Sequence, residues 1–142
     1  GDARLTMDAV LDTNVVVSAI LYPARGPALV LNAFQARLIG LVVDCRILTE
    51  YRTVLKRPKF GLSPKVVDAL VDDLAALAQI VVATPLPVDL PIRDPGDIPF
   101  IGCALAAHCP VVTGNGRRFS DIPGLRVLSP AEILDLLNLR GA

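Results

Sequence analysis

Short apolar runs alternate along this chain with longer stretches that have the residue spacing of amphipathic helices. The runs are rich in valine, leucine and isoleucine, and they lie at residues 10–11, 41–43, 80–82, 111–112 and 125–128. Runs of this length and composition are typical of strands that are buried on both faces of a parallel sheet. The alternation therefore predicts a three-layer α/β/α domain, with a parallel sheet of about five strands between two layers of helices.

Two Ser-Pro pairs mark helix starts. Ser63 precedes Pro64, which places a capping residue before a proline in the first turn. Ser129 is followed three residues later by Glu132, which is the sequence form of a capping box and predicts a last helix that ends near residue 139. Helices are also predicted over residues 15–21, 28–38, 47–55 and 97–107.

The chain has 142 residues, which suits one domain with its own core. We assign residues 7–142 to that domain and interpret Met7 as the natural initiator. Residues 1–6 are then expected to be a tag remnant or a short N-terminal extension. No apolar run approaches the roughly 20 residues that a membrane span needs, and the start lacks the layout of a signal peptide.

The cysteines favour a reducing compartment. They have no close metal-ligand spacing, and each lies in or beside an apolar stretch, which predicts packed, reduced thiols at Cys45, Cys103 and Cys109. We therefore expect a cytoplasmic protein with no membrane association.

Polar side chains follow several of the predicted strands. Asp12 comes directly after the first strand, Glu50 lies on the helix after the second, Asp97 opens the helix before the fourth, and Asn115 follows the fourth. Ligands of open α/β sheets gather beyond the carboxyl ends of the strands, so these side chains are expected to converge there. Carboxylate and amide oxygens suit Mg²⁺ or Mn²⁺, and such an ion can polarise a phosphoryl oxygen and activate water. The single histidine, His108, argues against a zinc site or a Ser/His triad.

Some of these acids also have a purely structural interpretation. Asp97 could serve only as a helix N-cap, and Glu50 could be only a solvated carboxylate on its helix. Asp12 is different, because an acid between two apolar runs carries a burial cost that a structural role would avoid.

Four segments resemble the motifs of PIN domains, in the same order and at the same spacing. They are VLDTNVVVSA from Val10, LTEYRTVLKRPKF from Leu48, RDPGDIPFI from Arg93, and VTGN from Val112 with Phe119 beyond it. The resemblance extends over residues 10–137. It is specific, and it points in particular to PIN-family toxins of toxin–antitoxin operons, a group akin to VapC-type toxins.

The resemblance implies a metal-dependent endoribonuclease that cleaves single-stranded RNA and is restrained by a cognate antitoxin. Asp12, Glu50 and Asp97 match the catalytic and metal-binding acids, and Asn115 matches the fourth catalytic position. The implied cofactor is Mg²⁺ or Mn²⁺. The supporting residues are expected to be Asn14, Thr113 and Asp94, although Asp94 could equally cap a turn. An arginine of the antitoxin is expected to reach the pocket and pair with Asp12 or Asp97.

Two positions depart from the usual PIN pattern. Gly96 replaces a carboxylate of the third motif, and Asn115 is neutral where aspartate is common. These departures leave open a catalytically weak or inactive PIN-fold binding module. A haloacid-dehalogenase-like phosphotransfer enzyme and a receiver domain are further alternatives, but both need an acidic partner for Asp12 and a late catalytic lysine that the sequence does not supply convincingly.

Basic residues cluster near the second and fourth motifs. The candidates for weak RNA binding are Arg52, Lys56, Arg57, Arg117 and Arg118. They could contact phosphates beside an acidic pocket or form only a solvated face. The net charge is zero and 53% of the residues are hydrophobic, which favours local rather than global attraction of RNA and a homodimer or a protein partner that covers apolar surface.

Overall fold

Five parallel strands form one sheet with the spatial order β3-β2-β1-β4-β5. The structure, a computed structural model, describes residues 7–138. The strands are β1 Met7–Leu11, β2 Ile39–Val43, β3 Gln79–Ile80, β4 Val111–Val112 and β5 Val127–Leu128. With β1 in the centre, the residue after β1 lies in the middle of the carboxyl edge. The predicted α/β/α architecture with a five-stranded parallel sheet is confirmed.

The core of the sheet is built from small branched side chains. Val10 pairs in register with Val111, and Leu11 with Val112, and all four side chains are fully buried. On the other side of β1, Ala9 pairs with Leu41 of β2. Since strands covered on both faces have no polar side to present to water, the runs are continuous rather than alternating.

The helices are distributed around this sheet, and three short 3₁₀ turns help to connect them. The helices are α1 Thr13–Leu21, α2 Gly26–Gln35, α3 Cys45–Leu55, α4 Pro64–Leu77, α5 Ile98–Ala107 and α6 Pro130–Leu136, and the 3₁₀ turns are Pro58–Phe60, Pro95–Asp97 and Gly116–Arg118. The predicted helix 15–21 begins two residues earlier, at Thr13, so that α1 follows Asp12 without a loop.

The two Ser-Pro starts are both N-caps, but they differ in their hydrogen bonds. Ser129 forms a complete capping box: its hydroxyl accepts from the Glu132 backbone N–H at 3.0 Å, and the Glu132 carboxylate accepts from the Ser129 N–H at 2.9 Å. Ser63 makes no side-chain capping bond. The last helix ends at Leu136, and residue 139, its predicted end, lies outside the described residues.

The third strand is shorter and starts earlier than the predicted run at residues 80–82. Only Gln79 and Ile80 pair with β2, while Val82 is 93% exposed. Because β3 is an edge strand, it has a neighbour on one side only, and the chain leaves the sheet after Val81 donates to the Val43 carbonyl at 2.9 Å.

Two of the cysteines are packed as predicted, and one is not. Cys103 and Cys109 are buried, whereas Cys45, in the first turn of α3, is exposed. Burial raises the pKa of the Cys103 thiol to about 12 and that of Cys109 to about 11. Within residues 7–138, no single helix is both long and apolar enough to span a membrane, and only the bent pair α1 and α2, with 104° between them, reaches that length and composition.

Candidate functional site

Asp12 lies at the junction of β1 and α1. Its backbone N–H continues the sheet by donating to the Val112 carbonyl at 2.9 Å. It occupies the N-cap position of α1, but its carboxylate makes no capping bond. The residue is only 1% exposed. The carboxylate therefore has its hydrogen-bond partners elsewhere than in a helix cap.

Those partners include residues from the segment that follows β4. The Thr113 hydroxyl donates to Asp12 Oδ2 at 2.7 Å, and the same hydroxyl oxygen accepts the Asn115 backbone N–H at 3.0 Å, which fixes its orientation. Arg118 Nη1 lies 3.2 Å from Asp12 Oδ2. Burial raises the pKa of Asp12, while the Thr113 hydrogen bond and the Arg118 charge act in the opposite direction.

Asp97, which belongs to the third motif, lies at the same site as Asp12. It ends the 3₁₀ turn Pro95–Asp97, and it is fully buried. Although it precedes α5, its carboxylate makes no capping bond. Instead Arg118 donates to both of its oxygens: Nη2 to Oδ1, and Nε to Oδ2 at 3.4 Å. One guanidinium therefore joins Asp97 to Asp12, and the interpretation of Asp97 as only a side-chain N-cap is wrong.

Glu50 is held by a separate contact, to the residue that follows Asp12. It is partly buried on α3, and the Thr13 hydroxyl donates to its Oε2. The next residue, Tyr51, is fully buried and donates its hydroxyl to the Leu11 carbonyl at 2.5 Å. Burial, together with the charges of Asp12 and Glu50, raises the pKa of Tyr51 well above its usual range. These contacts tie α3 to the end of β1.

The structure joins two of the three predicted acids through one guanidinium. In the part of the chain that the structure describes, no group of three or more His, Cys, Asp or Glu side chains is arranged to hold a metal ion. Asp12 and Asp97 share the Arg118 guanidinium, and Glu50 accepts a hydrogen bond from Thr13, the residue after Asp12. The expected three-acid site therefore stays a prediction.

The remaining predicted site residues are at the rim. Asn115 is exposed and takes part through its backbone N–H rather than its amide. Asn14 is also exposed. Asp94 accepts the Gly96 backbone N–H at 2.9 Å, so it caps the turn that places Asp97.

Some of the basic side chains predicted to bind RNA form ion pairs within the protein, and others lie at the surface. Arg52 pairs with Asp68 at 2.9 Å and with Asp72 at 2.5 Å, and Lys56 pairs with Asp68 at 2.9 Å. The side chains that remain at the surface are Arg57 and Arg117. Arg118, predicted only as a weak RNA contact, instead lies on the acidic pair.

Sequence reasoning missed Thr13 and Tyr51 as supporting residues. Both stand next to a predicted acid, Thr13 after Asp12 and Tyr51 after Glu50, and both carry a hydroxyl. That adjacency was the available signal, but only the fold shows that Thr13 contacts Glu50, which is 37 positions away.

A family model described as PIN domain matches residues 8–117. This chain belongs to the PIN domain family. The match spans the four segments that resemble PIN motifs as far as Asn115, with Phe119 just beyond it, and the predicted family is confirmed. Membership also removes the haloacid dehalogenase and receiver interpretations. No curated protein sequence matches the chain at a significant level.

Solved structures with the same fold are similar over nearly their whole length. VapBC2 from Rickettsia felis, bound to a DNA fragment from its promoter, matches with a TM-score of 0.62 and 17% identity, covering 87% of this chain and 98% of that one. DNA-bound VapBC from Salmonella typhimurium matches with a TM-score of 0.62 and 20% identity, covering 88% and 99%. PAE2754 from Pyrobaculum aerophilum matches with a TM-score of 0.59 and 12% identity, covering 96% and 100%. At these identities the likeness establishes the fold of the PIN domain alone.

Proposed function

We propose that this PIN domain is a metal-dependent endoribonuclease that cleaves single-stranded RNA and acts as the toxin of a toxin–antitoxin pair. The observation that carries the proposal is the buried pairing of Asp12 and Asp97 at the carboxyl edge of the sheet, around one cation. Buried acids that are brought together in this way are costly for stability and are typical of functional sites.

The chemistry of the donor set fits Mg²⁺ or Mn²⁺. Both ions prefer oxygen ligands, and Mg²⁺ is usually bound through one or two carboxylates while it keeps several waters. Asp12 and Asp97 supply two carboxylates, and their need for a cation is evident in the arginine that lies between them. In our proposal these two acids hold the ion, and Glu50 and Asn115 supply further oxygens.

When bound, a divalent ion at this position polarises a phosphoryl oxygen and activates water. The protein side chains have distinct roles around that chemistry. Thr113 orients Asp12, and Thr13 orients Glu50. With no histidine among the proposed site residues, proton transfer must run through metal-bound water or a carboxylate.

The RNA contacts in this proposal fall to the exposed basic side chains. Arg117 lies one residue from Arg118 and is exposed, and Arg57 follows the end of α3. Arg52 and Lys56 are paired with acids of α4, so they are assigned no direct phosphate contact. Such contacts fix the position of a nucleic acid without reading its sequence.

The proposed partner is a cognate antitoxin, and the free chain is proposed to be a homodimer. Support comes from the fold of the VapBC complexes named above, and from large apolar side chains that the surface exposes. These include Tyr22, Leu29, Val66, Ile80, Val82, Val88 and Leu136.

The decisive experiment measures cleavage of a labelled single-stranded RNA by metal-free protein to which Mg²⁺ or Mn²⁺ is added back. We expect cleavage only with metal, and a loss of at least about 100-fold in Asp12→Asn and in Asp97→Asn, because each removes a ligand. Asp73→Asn, an exposed acid on α4, is the matched control and should cleave like the wild type.

Two outcomes would overturn the proposal in different ways. Cleavage that persists in Asp12→Asn would place the activity elsewhere or in a contaminant. A folded wild-type chain that binds RNA but never cleaves it, with either metal, would favour the alternative of a PIN-fold binding module.

A further inference from the structure

The geometry points to Arg118 as a built-in counter-ion that occupies the cation position between Asp12 and Asp97, so that a divalent metal ion binds only when this side chain leaves. The inference rests on the proposed function, since it concerns the same pair of acids. It assigns to Arg118 the regulation of metal loading rather than a contact to RNA.

The contacts of Arg118 are those of a resident cation. Its three guanidinium nitrogens are all engaged, Nη1 with Asp12 Oδ2 at 3.2 Å, Nη2 with Asp97 Oδ1, and Nε with Asp97 Oδ2 at 3.4 Å. The Asp12 and Asp97 side chains are 2% and 0% exposed. Asp12 and Asp97 are also the residues that would hold the metal ion, so the ion and the guanidinium would compete for the same carboxylates.

The charges favour an exchange of one cation for the other. Two buried carboxylates next to one guanidinium leave one negative charge unbalanced, whereas a divalent ion would neutralise both. Removing one partner of a buried ion pair without replacement is strongly unfavourable. Arg118 should therefore stay in place in the absence of metal and yield when metal compensates the acids.

The position of Arg118 in the chain allows it to leave. It ends the short 3₁₀ turn Gly116–Arg118 near the surface, and its side chain is 26% exposed while the acids are almost fully buried. The guanidinium also lies 5.2 Å from the centre of the Phe119 ring. The long, partly exposed side chain can therefore turn toward solvent.

The test is a titration of the metal-free full chain with Mn²⁺, in which free Mn²⁺ is counted by electron paramagnetic resonance. Arg118→Gln should bind Mn²⁺ at least about tenfold more tightly than the wild type, because the competing cation is absent. Arg117→Gln, the matched control, removes an equal charge from the exposed neighbouring residue and should change the affinity less than about threefold, because an exposed charge is screened.

The outcomes separate this inference from the proposed function. Equal Mn²⁺ affinity in wild type and Arg118→Gln, or an equal gain in Arg117→Gln, would overturn the competition while leaving the metal site intact. No Mn²⁺ binding by either the wild type or Arg118→Gln would overturn both the metal-dependent nuclease and this inference.

A second measurement uses the wild-type fold, in case Arg118→Gln fails to fold. The Nε–Hε signal of Arg118, assigned by its loss in Arg118→Lys, should shift in a nuclear magnetic resonance titration with Mg²⁺ and show faster exchange with water as the ion pairs break. Saturation with Mg²⁺, followed on backbone amides near Asp12, without a change in that signal would contradict displacement.

Discussion

Asp12 and Asp97 are placed where carboxylates are useful for chemistry and unfavourable for stability. Burial raises the pKa of Asp12 above its ordinary value of 3.8, although Thr113 and Arg118 partly compensate. The folded protein therefore binds more protons than the unfolded chain at pH values between 3.8 and the raised pKa. By linkage, the contribution of Asp12 to stability falls as the pH rises through this window.

We expect Asp12→Asn to raise the melting temperature by a few degrees at neutral pH in metal-free buffer, because it removes a buried charge. The gain should shrink as the pH falls through the raised pKa of Asp12 toward 3.8, below which the wild-type carboxyl is protonated in both the folded and the unfolded state. Thermal unfolding of both proteins across this pH range measures the difference, with Asp73→Asn as the exposed control. A lower melting temperature of Asp12→Asn at neutral pH would mean that the ion pair with Arg118 outweighs burial.

The buried hydroxyl of Tyr51 ties α3 to the end of β1, and its contribution to the stability of the fold can be measured. Tyr51→Phe should destabilise the fold by about 1 kcal/mol, because it removes the 2.5 Å hydrogen bond to the Leu11 carbonyl. Urea unfolding measures this loss. The chain's other tyrosine provides the control: Tyr22 is 48% exposed, and Tyr22→Phe keeps its ring over Arg25, so its stability should not change. If the two variants change the free energy of unfolding equally, the buried hydrogen bond of Tyr51 makes no specific contribution to stability.

At the scale of the element, the two Ser-Pro helix starts look equivalent in the sequence and differ in the structure. Ser129 completes a capping box with Glu132, while Ser63 makes no side-chain bond. Ser129→Ala should lower the melting temperature by about 2–4 °C, the effect of losing one helix cap in a domain of this size. Ser63→Ala should leave it unchanged, and an equal loss at Ser63 would contradict the difference.

Strand and helix existence could be read from the sequence because burial imposes a regular pattern on each element. The central strands β1 and β4 were predictable from short runs of buried valine and leucine. The edge strand β3 was predicted at residues 80–82, but its bounds were not predictable, since Val82 satisfies the same composition yet is 93% exposed. Apolar composition alone does not tell where pairing ends, because that depends on the neighbouring strand.

The acids of the candidate site could be predicted from the sequence, but the position of the Arg118 guanidinium between two of them could not. Asp12 and Asp97 were expected to converge because both lie at carboxyl-end positions, and Arg118 joins them. Its role could not be inferred from spacing, because Arg117 next to it has the same side chain and only the 3₁₀ turn decides which one points inward. Glu50 was expected in the same cluster, and this stays a prediction, since the described residues show no group of three acids arranged to hold a metal ion.

At the scale of the whole molecule, the fold is too small to bury all of the hydrophobic side chains of the sequence. The sequence is 53% hydrophobic, and the described surface exposes large apolar side chains on several elements, among them Leu29 of α2 and Leu136 of α6. Single exposed apolar residues are normal in folded proteins, whereas contiguous ones mark contacts with other chains. Self-association and a protein partner are two ways of covering such surface.

We expect the free chain to form a homodimer and the antitoxin to bind without dissociating it. Light scattering on the purified protein at micromolar concentration should give twice the mass of the chain, and a monomer would remove the dimer proposal.

Co-expression with the product of the neighbouring open reading frame should give a complex in which RNA cleavage is suppressed. If the antitoxin blocks the acidic pocket, it should still suppress cleavage by the Arg117→Gln variant. If the antitoxin instead competes with RNA phosphates for Arg117, it should no longer suppress cleavage by this variant. Failure of every neighbouring product to bind or to suppress toxicity would remove the antitoxin from the proposal while leaving the nuclease untouched.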